Sequence, residues 1–309
     1  MEMMTRRKIY LSGKMTGLPN NGFEIFDKNR DFLLEKGWDV VSPADIDRAL
    51  GFDPSKNSVF TEEQYNETIK RDYAALLECD SIAFMPNWVN SRGALLESNF
   101  ANVLKLERYR VDANNLYFEK EMVIGLTGYA RSGKNTIAEE FVNHAHFEQA
   151  GFSDSLKSIL YSLNPYILCP PIHFSESNNK IPTRVQHYID ELGWDDAKSI
   201  PEIRQLLQRL GTEGGRYALG ENVWIDGLFN RPHKAKLVIS DLRFENEASA
   251  VRERGGFVIK VERPGVGPAN DHSSENIDFD VDFTVKNDRT PVEAYKSIVE
   301  FLSDHGWDI

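Results

Sequence analysis

Cysteine is nearly absent: Cys79 and Cys169 are the only two in 309 residues. They form neither a Cys-x-x-Cys redox pair nor a metal-ligand spacing, which argues against a disulfide framework and a zinc site and makes a reducing cytoplasm the expected setting. Long apolar runs are missing too. None approaches the ~20 residues that span a bilayer, and Met1 to Lys8 lacks the apolar stretch of a secretory signal, so no membrane partner is expected. Basic residues are in deficit, with 36 Lys and Arg against 48 Asp and Glu and a formal net charge of −12. Affinity for a nucleic-acid backbone comes largely from Lys and Arg displacing counterions, so direct nucleic-acid binding is not expected. Any anionic ligand must meet a local basic pocket.

What is there is ordinary folded protein, 41% hydrophobic and 27% charged. The length exceeds what one core usually supports, and two domains are expected. Lys8 to Gly13 reads as a strand stopping at a glycine, and Phe23 to Lys36 repeats apolar residues at helical spacing. Trp38 to Val41 is a second strand closed by Ser42-Pro43; Ile69 to Glu78 reads as a helix leading into the strand Ser81 to Met85, and Gly93 to Leu106 as another helix. Arg108 to Lys120 breaks this pattern. Met122 to Leu126 then starts a new apolar strand, so the chain divides into domains of residues 1–118 and 119–309. Alternating strands and helices indicate α/β architecture, two tandem three-layer domains with parallel sheets.

The segment Gly128-Tyr129-Ala130-Arg131-Ser132-Gly133-Lys134 lies between that strand and a helix beginning near Asn135, the context a phosphate-binding loop requires. Backbone N–H groups of such a loop point at phosphates while the lysine neutralises their charge. Gly128, Arg131, Ser132, Gly133, Lys134, Asn135 and Thr136 are therefore the expected ATP-binding residues. Asn135 stands where Ser or Thr is usual, and Thr136 follows it. Leu237 to Ser240 reads as a buried strand ending at Asp241, positioned to hold Mg2+ through water, with Thr136 as the second metal-side residue. Arg243 either stabilises charge on a transferring phosphoryl group or forms a surface or interdomain salt bridge.

Five blocks, Gly125 to Thr136, Phe152 to Lys157, Leu207 to Arg216, Asp241 to Glu247 and Asp271 to Glu275, together resemble the bacteriophage deoxynucleoside monophosphate kinases. That resemblance implies transfer of the γ-phosphate of ATP, with Mg2+, to a deoxynucleoside 5'-monophosphate, with Lys134 and Arg243 catalytic. It further implies that Asp154, Lys157, Gln208 and Arg216 line the monophosphate site. His272 is read as a hydrogen-bonded turn residue near the lid, and the polar tract Ser175 to Lys198 as a mobile lid.

In the first domain, Ser91 and Arg92 stand at a helix N-terminus where an anion is favoured, and Gly93 permits close backbone approach. Glu97, one turn on, shares a cleft with Tyr10, Ser12 and Gly13 at the end of the first strand, where ligands of open α/β sheets bind. Ile9 to Gly13, Val40 to Pro43, Asp72, Cys79-Asp80 and Ser91-x-Gly93-x3-Glu97 resemble the nucleoside 2-deoxyribosyltransferase superfamily, which includes deoxynucleoside 5'-monophosphate N-glycosidases and has a Rossmann-like fold. The resemblance implies Glu97 as nucleophile at the sugar C1', Asp72 assisting at the sugar or leaving base, and Tyr10 orienting Glu97. Ser91, in place of the aspartate of transferases acting on free nucleosides, implies a monophosphate substrate held by Ser12, Gly13, Ser91 and Gly93.

The combined expectation is a bifunctional enzyme of deoxynucleotide metabolism, phage or prophage encoded, homo-oligomeric and working in the host cytoplasm. The alternative is a kinase carrying a non-catalytic nucleotide-binding or oligomerisation domain. A nucleic-acid end kinase is disfavoured by the charge.

Overall fold

The computed structural model describes residues 7–52, 61–169, 181–267, 277 and 279–309. The Asp271 to Glu275 block with His272, and the first part of the expected lid, residues 175–180, lie outside them.

The first sheet takes its strands from β1 (Lys8–Ser12), β2 (Asp39–Val41), β3 (Ser81–Phe84), β4 (Glu107–Asp112) and β5 (Tyr117–Lys120), in the order β2-β1-β3-β4-β5. Its first four strands are parallel and β5 returns antiparallel. Parallel neighbours require crossovers, and helices supply them. They are α1 (Phe23–Glu35), α2 (Pro43–Ala49), α3 (Glu62–Leu76) and α4 (Arg92–Leu104). Ile9, Tyr10 and Leu11 have no exposed surface, as expected of a central strand covered on both faces. Phe23, Phe26 and Leu33 bury one stripe of α1 against one face of the sheet, while Leu76, Trp88 and Ala101 cover the other.

The second sheet uses β6 (Met122–Thr127), β7 (Glu148–Ala150), β10 (Lys236–Ile239), β11 (Phe257–Glu262) and β12 (Phe283–Lys286), all parallel, in the order β12-β11-β6-β10-β7. Between β7 and β10 the chain forms α6 (Asp154–Leu163), a hairpin of β8 (Tyr166–Cys169) and β9 (Ile181–Arg184), α7 (Val185–Ala197), α8 (Pro201–Arg209) and α9 (Val223–Phe229). α5 (Lys134–Ala145), α10 (Glu245–Arg252) and α11 (Pro291–Asp304) complete the layers. α11 starts as its sequence dictates, with Pro291 in the first turn and a reciprocal cap between Thr290 and Glu293. α8 runs directly into a wider helical turn, Leu210–Tyr217, in which Gly215 lies so close to the Trp224 indole that a Cβ would stand 2.3 Å from it. The mixed α/β architecture with parallel sheets is as the sequence indicates.

Two segments differ from expectation. Arg108 to Lys120 is not an interruption but the β4–β5 hairpin, because Asp112 accepts from the Asn114 N–H and from the Asn115 side chain and so closes a turn. From Ile181 onward the expected lid is packed structure: Val185, Tyr188, Ile189 and Ala197 are buried with Leu160 and Ile203. Those apolar residues at helical spacing outweigh the polar character of the tract.

The sheets meet at Glu121, between β5 and β6. Its side chain is 1% exposed and holds two arginines of β4, Arg108 Nε at 2.6 Å and Arg110 Nε at 2.7 Å. Burial pushes the Glu121 carboxyl up, but the charges of Arg108, Arg110 and His233 outweigh it and hold it at about 2. Arg110 also contacts His233 Nε2 at 3.2 Å. Removing one member of a buried ion pair strands its partner's charge and costs about 3–5 kcal/mol. Glu121→Ala is accordingly expected to lose stability of that order in urea unfolding at neutral pH. The wild-type advantage disappears as the pH falls from the ordinary glutamate range through about 2, where Glu121 takes up its proton.

Candidate functional site

In the first domain three elements converge on Glu97. β1 ends with Tyr10 and Ser12 on its C-terminal side, and α4 brings Glu97 to them from its second turn. Tyr10 donates to Glu97 Oε1 at 3.0 Å and Ser12 Oγ to Oε2 at 2.5 Å. The carboxylate is thereby fixed in orientation, with both oxygens hydrogen-bonded on one side. Asp72 of α3 completes the group, with Oδ1 buried and without a hydrogen-bond partner. Burial pushes the Asp72 carboxyl up to about 8, with the neighbouring charges of Glu97 and Asp47 adding to it. Burial also raises Glu97, but the donors Ser12 and Tyr10 oppose that rise. Asp72 thus keeps a proton at neutral pH, while the hydrogen bonds from Ser12 and Tyr10 favour the charged form of Glu97.

The expected phosphate-side residues lie at the same sheet end. Ser91 is the N-cap of α4, its hydroxyl accepting from Ala94 N–H at 3.3 Å. An added Cβ on Gly93 would meet nothing nearer than Ser91 Oγ at 3.8 Å, so the helix N-terminus faces open space there. Gly13 packs against Met85, whose Cβ would come within 3.2 Å of any side chain at that position. Asp47, missed in the sequence, is 3% exposed, and its carboxyl is pushed up to about 6 by burial against the opposing charge of Arg71.

In the second domain the loop from Gly128 to Lys134 follows β6 and opens α5, as the motif requires. Gly128 has φ 140° and an added Cβ would stand 2.4 Å from Val261 O, so only glycine fits. Arg131 and Gly133 also have positive φ, 66° and 99°. Lys134 Nζ donates to the carbonyls of Gly128 at 2.6 Å and Tyr129 at 2.8 Å, folding the loop around its own ammonium. The Ser132 and Thr127 hydroxyls are buried without a partner beneath the loop. Asn287, just after β12, was not foreseen. It donates to Ser132 O at 2.8 Å and braces the loop from behind. A cavity of about 270 Å³ opens beside it, lined by Gly133, Thr136, Arg263, Pro264, Asn287 and Arg289. No local pattern in the sequence joins Arg263 and Asn287 to residues more than a hundred positions earlier.

On the other side of β6, Asp241 accepts from Phe152 N–H at 2.8 Å, Ser153 N–H at 3.0 Å and Ser153 Oγ at 2.5 Å. Its carboxylate shapes the turn between β7 and α6. In that turn Asp154 accepts from Gly151 N–H at 2.7 Å and from Lys157 Nζ at 2.9 Å. Lys198, also not foreseen, stands nearby and is held below the usual lysine range by burial and by the charge of Lys157. Arg216 reaches Glu247 at 2.6 Å and lies 3.9 Å from the centroid of Phe244. Glu247 in turn accepts from the backbone N–H of Arg243 at 2.8 Å. Gln208 is partly exposed on α8, and Asn135 and Thr136 are exposed on the first turn of α5. Among the described residues no cluster of three or more His, Cys, Asp or Glu is arranged to hold a metal, and no helix is long and apolar enough to cross a membrane.

Comparison with known proteins separates the two halves. Residues 7–108 match a family described as a domain of unknown function, DUF4406. The C-terminal half is similar to a protein of Acanthamoeba polyphaga mimivirus named "Putative deoxynucleotide monophosphate kinase", 28% identical over 201 residues that cover 59% of this chain and 97% of the relative. The crystal structure of shikimate kinase from Aquifex aeolicus overlaps 60% of this chain and 98% of its own, at 14% identity and a TM-score of 0.30, too loose a superposition to argue from.

The proton on Asp72 makes a checkable prediction. Its folded value, about 8, lies above the ~3.9 of a free aspartate, so the folded state binds the extra proton and stability falls as pH rises between those values. Asp72→Asn is expected to abolish that fall, so thermal unfolding compared at pH 6 and pH 9 should show the variant gaining on the wild type at the higher pH.

Proposed function

We propose that the chain is a two-site enzyme acting on deoxynucleoside 5'-monophosphates, with an ATP-dependent kinase formed by the second domain and N-glycosidic cleavage performed at Glu97 in the first. The observation that carries the kinase reading is the loop at Gly128 to Lys134, whose ammonium and backbone amides face the same sheet end as Lys157, Asp241 and Arg243. The similarity to the mimivirus protein over its whole length supports it.

In this reading the ATP phosphates take the place now occupied around Lys134 by the Gly128 and Tyr129 carbonyls, and the base lies toward Arg263 and Pro264. The acceptor phosphate meets Lys157, beside Asp154 and below Gln208 and Arg216. An acceptor phosphate oxygen attacks the γ-phosphorus as the bond to the β-phosphate oxygen breaks, and Arg243 offsets the charge of the transferring group. The donor set fits magnesium rather than a metal caged by protein: Thr136 offers a hydroxyl and Asp241 an acceptor already committed to the turn, so phosphates and waters supply the other ligands. Magnesium bound there lowers the charge of the phosphates.

At the first site Glu97 attacks C1' as the bond to the base breaks, and the proton of Asp72 goes to the departing base nitrogen. Water then attacks C1' while giving a proton back to Asp72, and the bond from C1' to Glu97 breaks to restore the carboxylate. Tyr10 and Ser12 keep the nucleophile aimed. One observation favours a second reading, a nucleotide-binding domain without catalysis: both Glu97 oxygens already accept hydrogen bonds.

Chromatography of a deoxynucleoside monophosphate incubated with and without ATP and magnesium separates these readings. Lys134→Ala is expected to lower diphosphate formation by about 10²–10³-fold while leaving base release intact, the scale on which lost transition-state contacts are felt. Glu97→Gln is expected to do the reverse. Diphosphate formation at the wild-type rate in Lys134→Ala removes the kinase assignment; no free base from any common or modified monophosphate leaves the second reading.

A further inference from the structure

Glu247, on the first turn of α10, has no part in the reactions described above, yet Arg216 and Arg243 are joined through it. The residue is 3% exposed. Its Oε2 accepts from the backbone N–H of Arg243 at 2.8 Å and of Phe244 at 3.2 Å, and its Oε1 accepts from Arg216 Nη2 at 2.6 Å. A glutamate three residues into a helix commonly caps the free N–H groups at its start, and Oε2 does that here. Capping requires neither burial nor the second oxygen. That oxygen instead holds a side chain from 31 positions away.

Arg216 is fixed at both ends. Its guanidinium lies 3.9 Å from the Phe244 ring centroid, and Nη1 donates to Glu221 O at 3.2 Å and to Asn246 Oδ1 at 3.4 Å. The wide turn that carries it, Leu210–Tyr217, is itself pinned: Trp224 Nε1 donates to Gly211 O at 2.9 Å. An added Cβ on Gly211 would stand 3.3 Å from Leu156, the residue before Lys157, so the turn packs on the helix that carries that lysine. Wide helical turns of this kind are frequent at functional sites. Burial pushes the Glu247 carboxyl up to about 7, with the charge of Asp241 adding to the rise and the Arg243 and Phe244 amides and the charge of Arg216 opposing it. Only the charged form makes an ion pair with Arg216. An arginine offers phosphate a planar fork, and that fork serves a reaction when its plane is set before the ligand arrives.

We propose that Glu247 is a positioning residue for phosphoryl transfer: its carboxylate fixes the Arg216 guanidinium against the backbone of Arg243, so that an acceptor phosphate meets the two arginines at one spacing. This role rests on the kinase reading of the second domain.

The test measures diphosphate formation by the full chain from a deoxynucleoside monophosphate, ATP and magnesium. Glu247→Gln keeps the cap, since its carbonyl oxygen can accept from Arg243 and Phe244, but it turns an NH2 donor toward Arg216. It is expected to lower kcat about 10²-fold, the scale of an ångström's misplacement, and to leave the KM for ATP unchanged. Wild-type kcat is expected to rise with pH through about 7, and Glu247→Gln to lack that rise. Arg216→Lys, which also spares the cap, is expected to lose kcat on the same scale, and its combination with Glu247→Gln to lose no more than about twofold further. No diphosphate from the wild-type chain removes the kinase reading itself. A wild type that forms diphosphate, with kcat undiminished in Glu247→Gln or with fully multiplied losses in the double variant, overturns the positioning role alone. Should Glu247→Gln fail to fold, undiminished kcat in Arg216→Lys overturns it equally.

Discussion

One carboxylate, Glu121, holds the two halves of the molecule in register. It sits in the step between the last strand of one sheet and the first strand of the next, and it neutralises arginines that both belong to β4. Arg108 passes the constraint on: it donates to Ser98 O at 3.3 Å, to Ser98 Oγ at 3.0 Å and to Asn102 Oδ1 at 2.8 Å. Ser98 follows Glu97 directly, so the helix that presents Glu97 is tied to the same buried charge that starts the second sheet. Arg110 extends the tie toward His233, four residues before Leu237, the first buried position of β10. The sign of the arrangement matters. A buried pair of this kind contributes less to net stability than to uniqueness, because desolvation offsets most of the attraction, while any alternative packing leaves arginines buried alone.

From that joint the two sites diverge in electrostatic design. At Glu97 the protein brings carboxyls together under burial, so that one of them retains its proton near neutral pH. At Lys134 it does the opposite, gathering an ammonium, backbone N–H groups and further cations at one end of the second sheet. Both arrangements lie at the C-terminal ends of parallel strands, since that is where loops leave the sheet and helix N-termini point inward. A net charge of −12 is compatible with both because the positive charge is local. Lys157 is partnered by Asp154, Arg216 by Glu247 and Lys134 by carbonyls, so the protein supplies internal anions and dipoles for its cations. A phosphate bound there in the proposed reading would have to displace or rearrange these contacts.

Sequence reading reached the parts of these sites that are local. The Gly128 to Lys134 loop is seven consecutive residues whose glycines answer to positive φ and to Val261 O, and its place between strand and helix follows from the neighbouring residues alone. Glu97 with Tyr10 and Ser12 required the further step that β1 and β3 are adjacent, which alternating strands and helices made readable. What remained hidden is what depends on distant packing. Asn287 braces Ser132 from 155 positions away, Asp241 is turned toward the Phe152-Ser153 amides rather than into open space, and Arg108 and Arg110 are paired only because the chain after β5 brings Glu121 to them. The β4–β5 hairpin escaped for a related reason. Its strands are rich in charge because one arginine pair points inward to Glu121, which breaks the apolar pattern by which strands are recognised.

The position of Asp241 also bears on how the second site distinguishes its ligands. Had the carboxylate projected freely, its main effect on a nearby phosphate would be repulsion unless a cation lay between them. Three donors from Phe152 and Ser153 instead absorb its charge and draw the β7–α6 turn against the end of β10. That places Asp154 at the start of α6, where it caps Gly151 N–H and positions Lys157 one turn further on. Lys157 is thus set by a chain of contacts beginning at β10, which runs beside β6, the strand that leads into the Gly128 to Lys134 loop. If the chain is the kinase proposed, the two phosphates would be held at a spacing determined by adjacent strands of one sheet, a rigid element, rather than by a loop. In that reading the reaction geometry depends less on the length of either side chain than on the β6–β10 pairing itself, in which Ile239 lies opposite Gly125.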